Sequence, residues 1–400
     1  MRIALVSEVW APEVDGLVTR LESTVRELRA SGHDVLVVAP TRGTSVPGVL
    51  ETRTRGLSLS FLYGGRRWAL PDGVVLRALR AFRPDVVHVV NPVLMGIVAA
   101  RWAGPRHPLV VSYHTDVATY AGHYHLGAFE GAVHAMMRAA HRPADVRLAT
   151  SVVGREHLRE IGIDDVGLWA RGVDTRAFRP GRDGSALRAR LGAAPADDPT
   201  GERGGARTGP PLALHVGRIA TEKGCERLVP LASADPPVRL VMVGEGPDRT
   251  RLQRLLTGQR AVFTGLLRGE VLADTYAAAD VLVFASTTDT LGLVLLEAAA
   301  SGLPVVALDG PTSRQTLAGY GPVTYVDPSA PPEAWNRAVV AAAQAERAAV
   351  LARGGGAAGL AAVRSAASRP ADDWAAATKA LVVDAYEEAV RLAAGRLGRS

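Results

Sequence analysis

Residues 212–224 read Leu212-Ala213-Leu214-His215-Val216-Gly217-Arg218-Ile219-Ala220-Thr221-Glu222-Lys223-Gly224. Leu212 to Val216 is a short apolar run, as a strand buried on both faces requires. Gly217 releases the chain from the strand. Two cations, Arg218 and Lys223, then stand before the next helical stretch. Arginine forks onto phosphate oxygens and lysine supplies a point charge. A following helix N-terminus would add positive potential. A diphosphate is the natural guest of such a loop, and two solvated surface cations are the bland alternative. The loop is not a P-loop, because G-x-x-x-x-G-K-[ST] is absent.

On the C-terminal side the alternation continues. Val238–Val243, Ala261–Phe263, Val281–Phe284 and Val305–Ala307 read as strands, with helical patterns in the gaps. On the N-terminal side lies a break. Residues 181–210 hold one helical piece, Ser185–Leu191, and then a Gly/Ala/Pro/Asp run ending in Thr208-Gly209-Pro210-Pro211. This composition predicts a linker or mobile surface loop. Before it, Ile3–Ser7, Val35–Ala39, Val86–Val89, Leu109–Ser112 and Arg147–Thr150 read as strands. Leu17, Leu21, Val25 and Leu28 recur at helical spacing, with Gly32 closing that helix. Strands alternating with helices predict α/β domains with parallel, doubly wound sheets.

A chain of 400 residues, 48% hydrophobic, is too long for one compact core and suits two. The predicted division is 1–175, a linker over 176–210, 211–372, and a terminal amphipathic helix within 373–400. That helix runs from about Asp373 to Leu392, with Trp374, Leu381, Val382, Ala385 and Tyr386 toward one face. The net charge of +6 fits phosphate-bearing ligands, an anionic membrane surface or nucleic acid, without choosing among them. Basic residues are almost all arginine, and lysine stands only at Lys223 and Lys379. The one cysteine, Cys225, excludes an intrachain disulfide and points to a reducing compartment. The N-terminal apolar run is too short for a signal peptide, and no stretch approaches the roughly 20 apolar residues of a bilayer span.

Open parallel sheets bind ligands beyond the carboxyl ends of their strands. After Val238–Val243 comes the tight turn Gly244-Glu245-Gly246-Pro247, read as structural. After Phe263 come Thr264, Gly265 and Leu266, where a glycine lets backbone approach a flat ligand or simply makes a turn. After Phe284, Asp289 is placed at a loop-to-helix junction, and Glu297 about two turns deeper on the same side. Glu297 is surrounded by leucines and alanines, and an unpaired carboxylate there would be costly. It could accept from two ribose hydroxyls or pair with a core arginine. In the first half, His114 follows a strand and could donate to a sugar hydroxyl or a developing charge. A structural histidine is the alternative. Gly16 would let backbone N–H groups approach a phosphate.

These pieces, in this order, resemble the family-four retaining glycosyltransferases. The shared segments include Phe82-Arg83-Pro84-Asp85-Val86-Val87-His88, Arg171-Gly172-Val173-Asp174 and Tyr113-His114-Thr115-Asp116. The last, continued through Val117-Ala118-Thr119-Tyr120-Ala121, is most similar to actinobacterial GDP-mannose-dependent α-mannosyltransferases and sulfoquinovosyl-lipid synthases. The resemblance implies the GT-B fold, two Rossmann-like domains facing across a cleft, with the terminal helix crossing back to the N-terminal domain. It also implies roles. Arg218 and Lys223 hold the donor diphosphate and Glu297 the ribose. Asp289 with the Thr290-Leu291-Gly292 backbone holds the transferred sugar. Gly265 and Leu266 border the base, and His114 and Gly16 face sugar and phosphate. The expected activity is metal-independent, cofactor-free transfer of a hexose from a nucleotide diphosphate sugar, GDP-mannose favoured and a UDP-sugar second. The acceptor would be an alcohol on a lipid, a cyclitol or a small metabolite. No nucleic acid partner is implied. The setting would be cytoplasmic, with the inner membrane face open to peripheral contact.

The chain departs from the family pattern at Asp289, where glutamate is usual, and at Asp15, where many members pair a second glycine with Gly16. An epimerase or sugar phosphorylase of the same form, or a non-catalytic nucleotide-sugar-binding protein, are the alternatives. A dinucleotide-dependent oxidoreductase is disfavoured because no G-x-G-x-x-G opens the first helix.

Overall fold

The computed structural model describes residues 1–13, 16–58, 67–114, 130–192, 209–289, 292–369 and 373–398. The chain divides into two compact units. The first comprises Met1–Gly172 together with Asp372–Ser400, and the second is Val173–Ala371.

In the first unit the strands are β1 (Arg2–Ser7), β2 (Asp34–Ala39), β3 (Leu50–Arg53), β4 (Gly56–Ser58), β5 (Arg67–Ala69), β6 (Val86–Val90), β7 (Leu109–Tyr113), β8 (Val146–Ala149) and β9 (Val166–Leu168). Seven of them form one parallel sheet in the order β3-β2-β1-β6-β7-β8-β9, and β4 pairs antiparallel with β5. The apolar runs are continuous because helices cover both faces. Ile3 and Leu5 join Val18, Leu21, Val25 and Leu28 in one core cluster. Ala4 and Val6, pointing the other way, join Val75, Leu79, Met95 and Ala99 in another.

The terminal helix belongs to this first unit. It starts at Trp374, passes through a π-helical segment, Val382–Glu387, and ends at Leu397. Leu381, Ala385, Tyr386 and Ala389 enter the cluster that holds Leu21 and Val25. Arg396 pairs with Asp145 at 3.0 Å. Trp374 is half-buried, as is Val382.

The second unit carries β10 (Leu212–Val216), β11 (Arg239–Val243), β12 (Ala261–Gly265), β13 (Val281–Phe284), β14 (Val305–Leu308) and β15 (Val323–Val326). They form a parallel sheet in the order β12-β11-β10-β13-β14-β15. Leu212 and Leu214 face one core cluster and Ala213 the other.

The segment read as a linker is not one throughout. Ser185–Arg190 is a helix, and Phe178, Leu187 and Leu191 pack into the second unit's core. Arg188 reaches Asp280 at 2.9 Å, where both are buried. Its few apolar residues are spent on that core, so a loop-like composition conceals a packed segment. Residues 193–208 lie outside the described part.

Candidate functional site

In the second sheet the chain runs outward one way from β10 through β11 to β12, and the other way from β13 through β14 to β15. The crevice beyond the adjacent ends of β10 and β13 is therefore the place where ligands bind in such sheets. The loop after β10 fills one wall. It contains a short 3₁₀ turn, Thr221–Lys223, followed by a 3₁₀ stretch, Cys225–Ser233, where the spacing suggested an α-helix. Pro230 inside that stretch has no N–H to give an α-helical ladder. Gly224 has φ of +66°, and a Cβ there would run into the carbonyl oxygen of Ala285. Only glycine lets this loop lie directly on the loop after β13. The hydroxyl of Thr288 fastens the two by donating to the carbonyl of Glu222 at 3.1 Å. Gly244 serves the neighbouring turn in the same way: its φ is +135°, and a Cβ would meet the carbonyl oxygen of Gly217.

This packing brings together charges that are distant in sequence. Lys223 Nζ donates to Asp289 Oδ1, 66 residues on, at 2.5 Å. Arg218 pairs within its own loop, with Glu222 at 3.3 Å. Both cations thus have carboxylate partners in place. His215 lies buried in β10 behind them, its Nε2 3.5 Å from Cys225 Sγ. Burial and then the Lys223 charge hold its imidazole down to about 4, with Asp289 opposing. Nothing in the residue pattern singled out His215, although a histidine in an otherwise apolar strand was a usable signal.

The helix after β13 begins at Leu293, with Gly292 as its N-cap at φ +63°. Asp289 therefore lies in the loop and not at the helix start. Glu297 is the helix's fifth residue, and the two carboxylates do not share a helix face. Glu297 is buried, and the phenol of Tyr276 donates to its Oε2 at 2.5 Å. Among the described residues its polar partner is this tyrosine, not a core arginine. Burial raises the Glu297 carboxyl to about 7, the Tyr276 hydrogen bond opposes this, and the Asp174 charge adds to it. Gly265 ends β12 at φ +75°, and Leu266 beside it is exposed. Thr290 and Leu291 lie outside the described residues.

Gly16 and His114 belong to the first unit. Gly16 is the exposed first residue of the helix Gly16–Ala30, with open space where a Cβ would stand. His114 follows β7 and is buried. Its backbone N–H donates to Asn91 Oδ1 at 3.2 Å, and its ring stands edge-on to Trp169, 5.0 Å between centroids. Burial, then the charge of Arg20, holds its imidazole well below the usual histidine range. Arg20 is fully buried, donating to the carbonyls of Trp169 and Ala170 at 3.1 and 2.6 Å. Its guanidinium also lies 4.3 Å over the Trp169 ring. The helical spacing of Leu17 and Leu21 placed Arg20 beside the core face, yet gave no reason to expect a buried cation. Residues 115–129 are outside the described part.

Among the described residues no three His, Cys, Asp or Glu side chains are grouped as a metal would need. Nor is any of their helices long and apolar enough to cross a membrane.

Comparison with known proteins gives two family matches, glycosyltransferase family 4 over residues 14–177 and glycosyl transferases group 1 over residues 210–345. A GDP-mannose-dependent alpha-mannosyltransferase of Mycobacterium tuberculosis is 39% identical over 79% of this chain and 81% of its own. The sulfoquinovosyl transferase SQD2 of Arabidopsis thaliana is 33% identical over 74% of this chain and 56% of its own. Among solved structures, the Anabaena protein Alr3699/HepE in complex with UDP-glucose superposes with a TM-score of 0.69 at 18% identity, covering 96% of this chain and 98% of that one.

Proposed function

The chain belongs to glycosyltransferase family 4 and has the GT-B fold, and from that premise we propose that it transfers mannose from GDP-mannose to an alcohol acceptor with retention of configuration, without a metal. The observation that supports this reading is the pair of loops after β10 and β13, where Lys223 meets Asp289 and Arg218 pairs with Glu222, with Glu297 buried in the helix that follows β13. The names of the relatives at 39% and 37% identity support GDP-mannose as donor.

In this reading the donor diphosphate takes Arg218 and Lys223 as its charge partners, and Glu297 accepts from the ribose hydroxyls. Lys223 is held by Asp289 before the donor arrives. A diphosphate competes for that ammonium, and the released Asp289 carboxylate then accepts from hydroxyls of the transferred sugar. Gly292, with Thr290 and Leu291, supplies backbone N–H groups to the same sugar. Gly265 and Leu266 border the base. Gly16 and His114 act on phosphate and sugar, as the family resemblance implies.

Chemically, the bond from the anomeric carbon to the phosphate oxygen breaks as the acceptor oxygen bonds on the same face. The acceptor's proton passes to the leaving phosphate. The protein supplies positioning and stabilises the charge growing on the diphosphate. Arg218 and Lys223 do for that charge what a divalent cation does elsewhere.

The test is a panel of GDP- and UDP-sugars with lipid, cyclitol and small-metabolite alcohols, in buffer containing EDTA. An α-mannoside formed from GDP-mannose is expected. Turnover restricted to UDP-sugars would move the donor, a β-product would remove retention, and activity restored only by Mg²⁺ or Mn²⁺ would remove metal independence.

A further inference from the structure

Four polar side chains form a buried line in the first unit. The Tyr386 hydroxyl lies 2.9 Å from His88 Nδ1. His88 Nε2 lies 2.8 Å from Ser112 Oγ. Ser112 Oγ lies 2.9 Å from His114 Nε2. Tyr386, His88 and Ser112 are fully buried, and His114 nearly so. The line joins the π-helical segment of the terminal helix to β6, to β7 and to the residue just beyond β7.

A serine has one proton. Between two imidazole nitrogens it can donate to only one, so the other nitrogen must donate to it. The line can therefore point either way, and its far end decides. If it ran from His114 toward Tyr386, His88 Nδ1–H would donate to the phenol. The phenol's own proton would then be buried without an acceptor among the described residues, at the full desolvation penalty. If it runs from Tyr386, every proton between the four side chains is used. The phenol donates to His88 Nδ1, His88 Nε2–H donates to Ser112, and Ser112 donates to His114 Nε2. Neutral His114 then carries its proton on Nδ1.

We infer that Tyr386 is a positioning residue that acts through His88 and Ser112 to hold His114 as the neutral Nδ1–H tautomer, a hydrogen-bond donor and not a base. Its effect on turnover rests on the proposed role of His114 toward sugar or phosphate. Neutrality has a second support in the buried Arg20 guanidinium, whose charge disfavours protonation of both His88 and His114. The arrangement has a catalytic use. A donor fixed before the reaction offers its proton to oxygen where negative charge develops, with no reorientation during the step.

Long-range ¹⁵N–¹H correlation spectra of the ring nitrogens in ¹⁵N-histidine-labelled full-length protein read the tautomer directly. The His114 signals are assigned by their loss in His114→Asn. The unmodified protein should show His114 protonated at Nδ1. Tyr386→Phe keeps the ring's shape and removes the proton that orients the line, so His114 should become a mixture of tautomers. In that variant kcat should fall about tenfold with donor KM nearly unchanged. Ser112→Ala should do the same by cutting the line, and Ser112→Thr, which keeps the hydroxyl, should restore the tautomer. Protonation at Nε2 in the unmodified protein overturns the inference, as does an unchanged tautomer in a folded Tyr386→Phe or Ser112→Ala protein. If the tautomer follows the variants while turnover does not, the line stands and the proposed role of His114 in transfer fails.

Discussion

Glu297 has its carboxyl raised from 4.5 to about 7, chiefly by burial. The folded protein thus holds this proton more tightly than the unfolded chain does. The resulting stability is fully present below about pH 4.5 and is lost as pH rises through about 7. Glu297→Gln cannot titrate. Its stability relative to the unmodified protein should therefore improve steadily between about pH 5 and pH 8, as read from denaturant midpoints. Parallel profiles for the two proteins would show that Glu297 does not titrate in this range. The same carboxyl should make GDP bind more tightly as pH rises through about 7, because an ionised group accepts ribose hydroxyls better; the terminal phosphate of GDP titrates near about 6 in either case, so the Gln variant should keep that part of the pH dependence and lose the part near 7. Sequence alone exposed this residue, since a carboxylate among leucines and alanines needs a reason. It did not expose the partner. Tyr276 stands 21 residues earlier on another helix, and Asp289 reaches Lys223 across 66 residues. Such pairings follow from which strands are neighbours in the sheet, an order that local periodicity does not encode.

Strands buried on both faces were legible because burial demands unbroken apolar runs. Leu212–Val216 and Val281–Phe284 were read to the residue. β3 (Leu-Glu-Thr-Arg), β9 (Val-Gly-Leu) and β15 (Val-Thr-Tyr-Val) were not, and all three are sheet edges. An edge strand covers less of the core and carries polar or exposed residues, so it leaves little apolar signal. The terminal helix was legible as amphipathic, though its π-helical segment was not. That segment is where Ala385 and the full Tyr386 ring are buried side by side. Removing residues 373–400 would empty the space held by Leu381, Ala385, Tyr386 and Ala389, break the Arg396–Asp145 pair and leave His88 without its phenol. Losing Leu381 and Tyr386 alone is a loss on the order of 5 kcal/mol. That is comparable to the whole stability of a domain. The truncated protein should therefore show the first unit's calorimetric transition far below that of the full chain, or none. An unchanged transition would mean that the helix is not part of this core.

At the scale of the molecule, the second unit is one uninterrupted stretch, whereas the first is completed only by the end of the chain. The sequence showed where the alternation restarts, at Leu212; the second compact unit begins earlier, at Val173, in a segment that looks like a loop yet is anchored by Val173, Ala177, Phe178, Leu187 and Leu191 and by the buried Arg188–Asp280 pair. This asymmetry has a consequence for binding. Every second-unit residue proposed to touch the donor, from Arg218 to Glu297, lies within Val173–Ala371, as does each core cluster that supports the crevice. A fragment of residues 173–371 should therefore fold alone and bind GDP. Its Kd should lie within about tenfold of the full chain's, since the charge-assisted contacts all remain. A fragment of residues 1–172 should fail to fold, because its sheet lacks the terminal helix. Circular dichroism melts establish folding, and calorimetric titration with GDP measures binding. A folded 173–371 fragment with no measurable affinity, beside a full chain that binds, would mean that nucleotide capture draws on residues outside this unit.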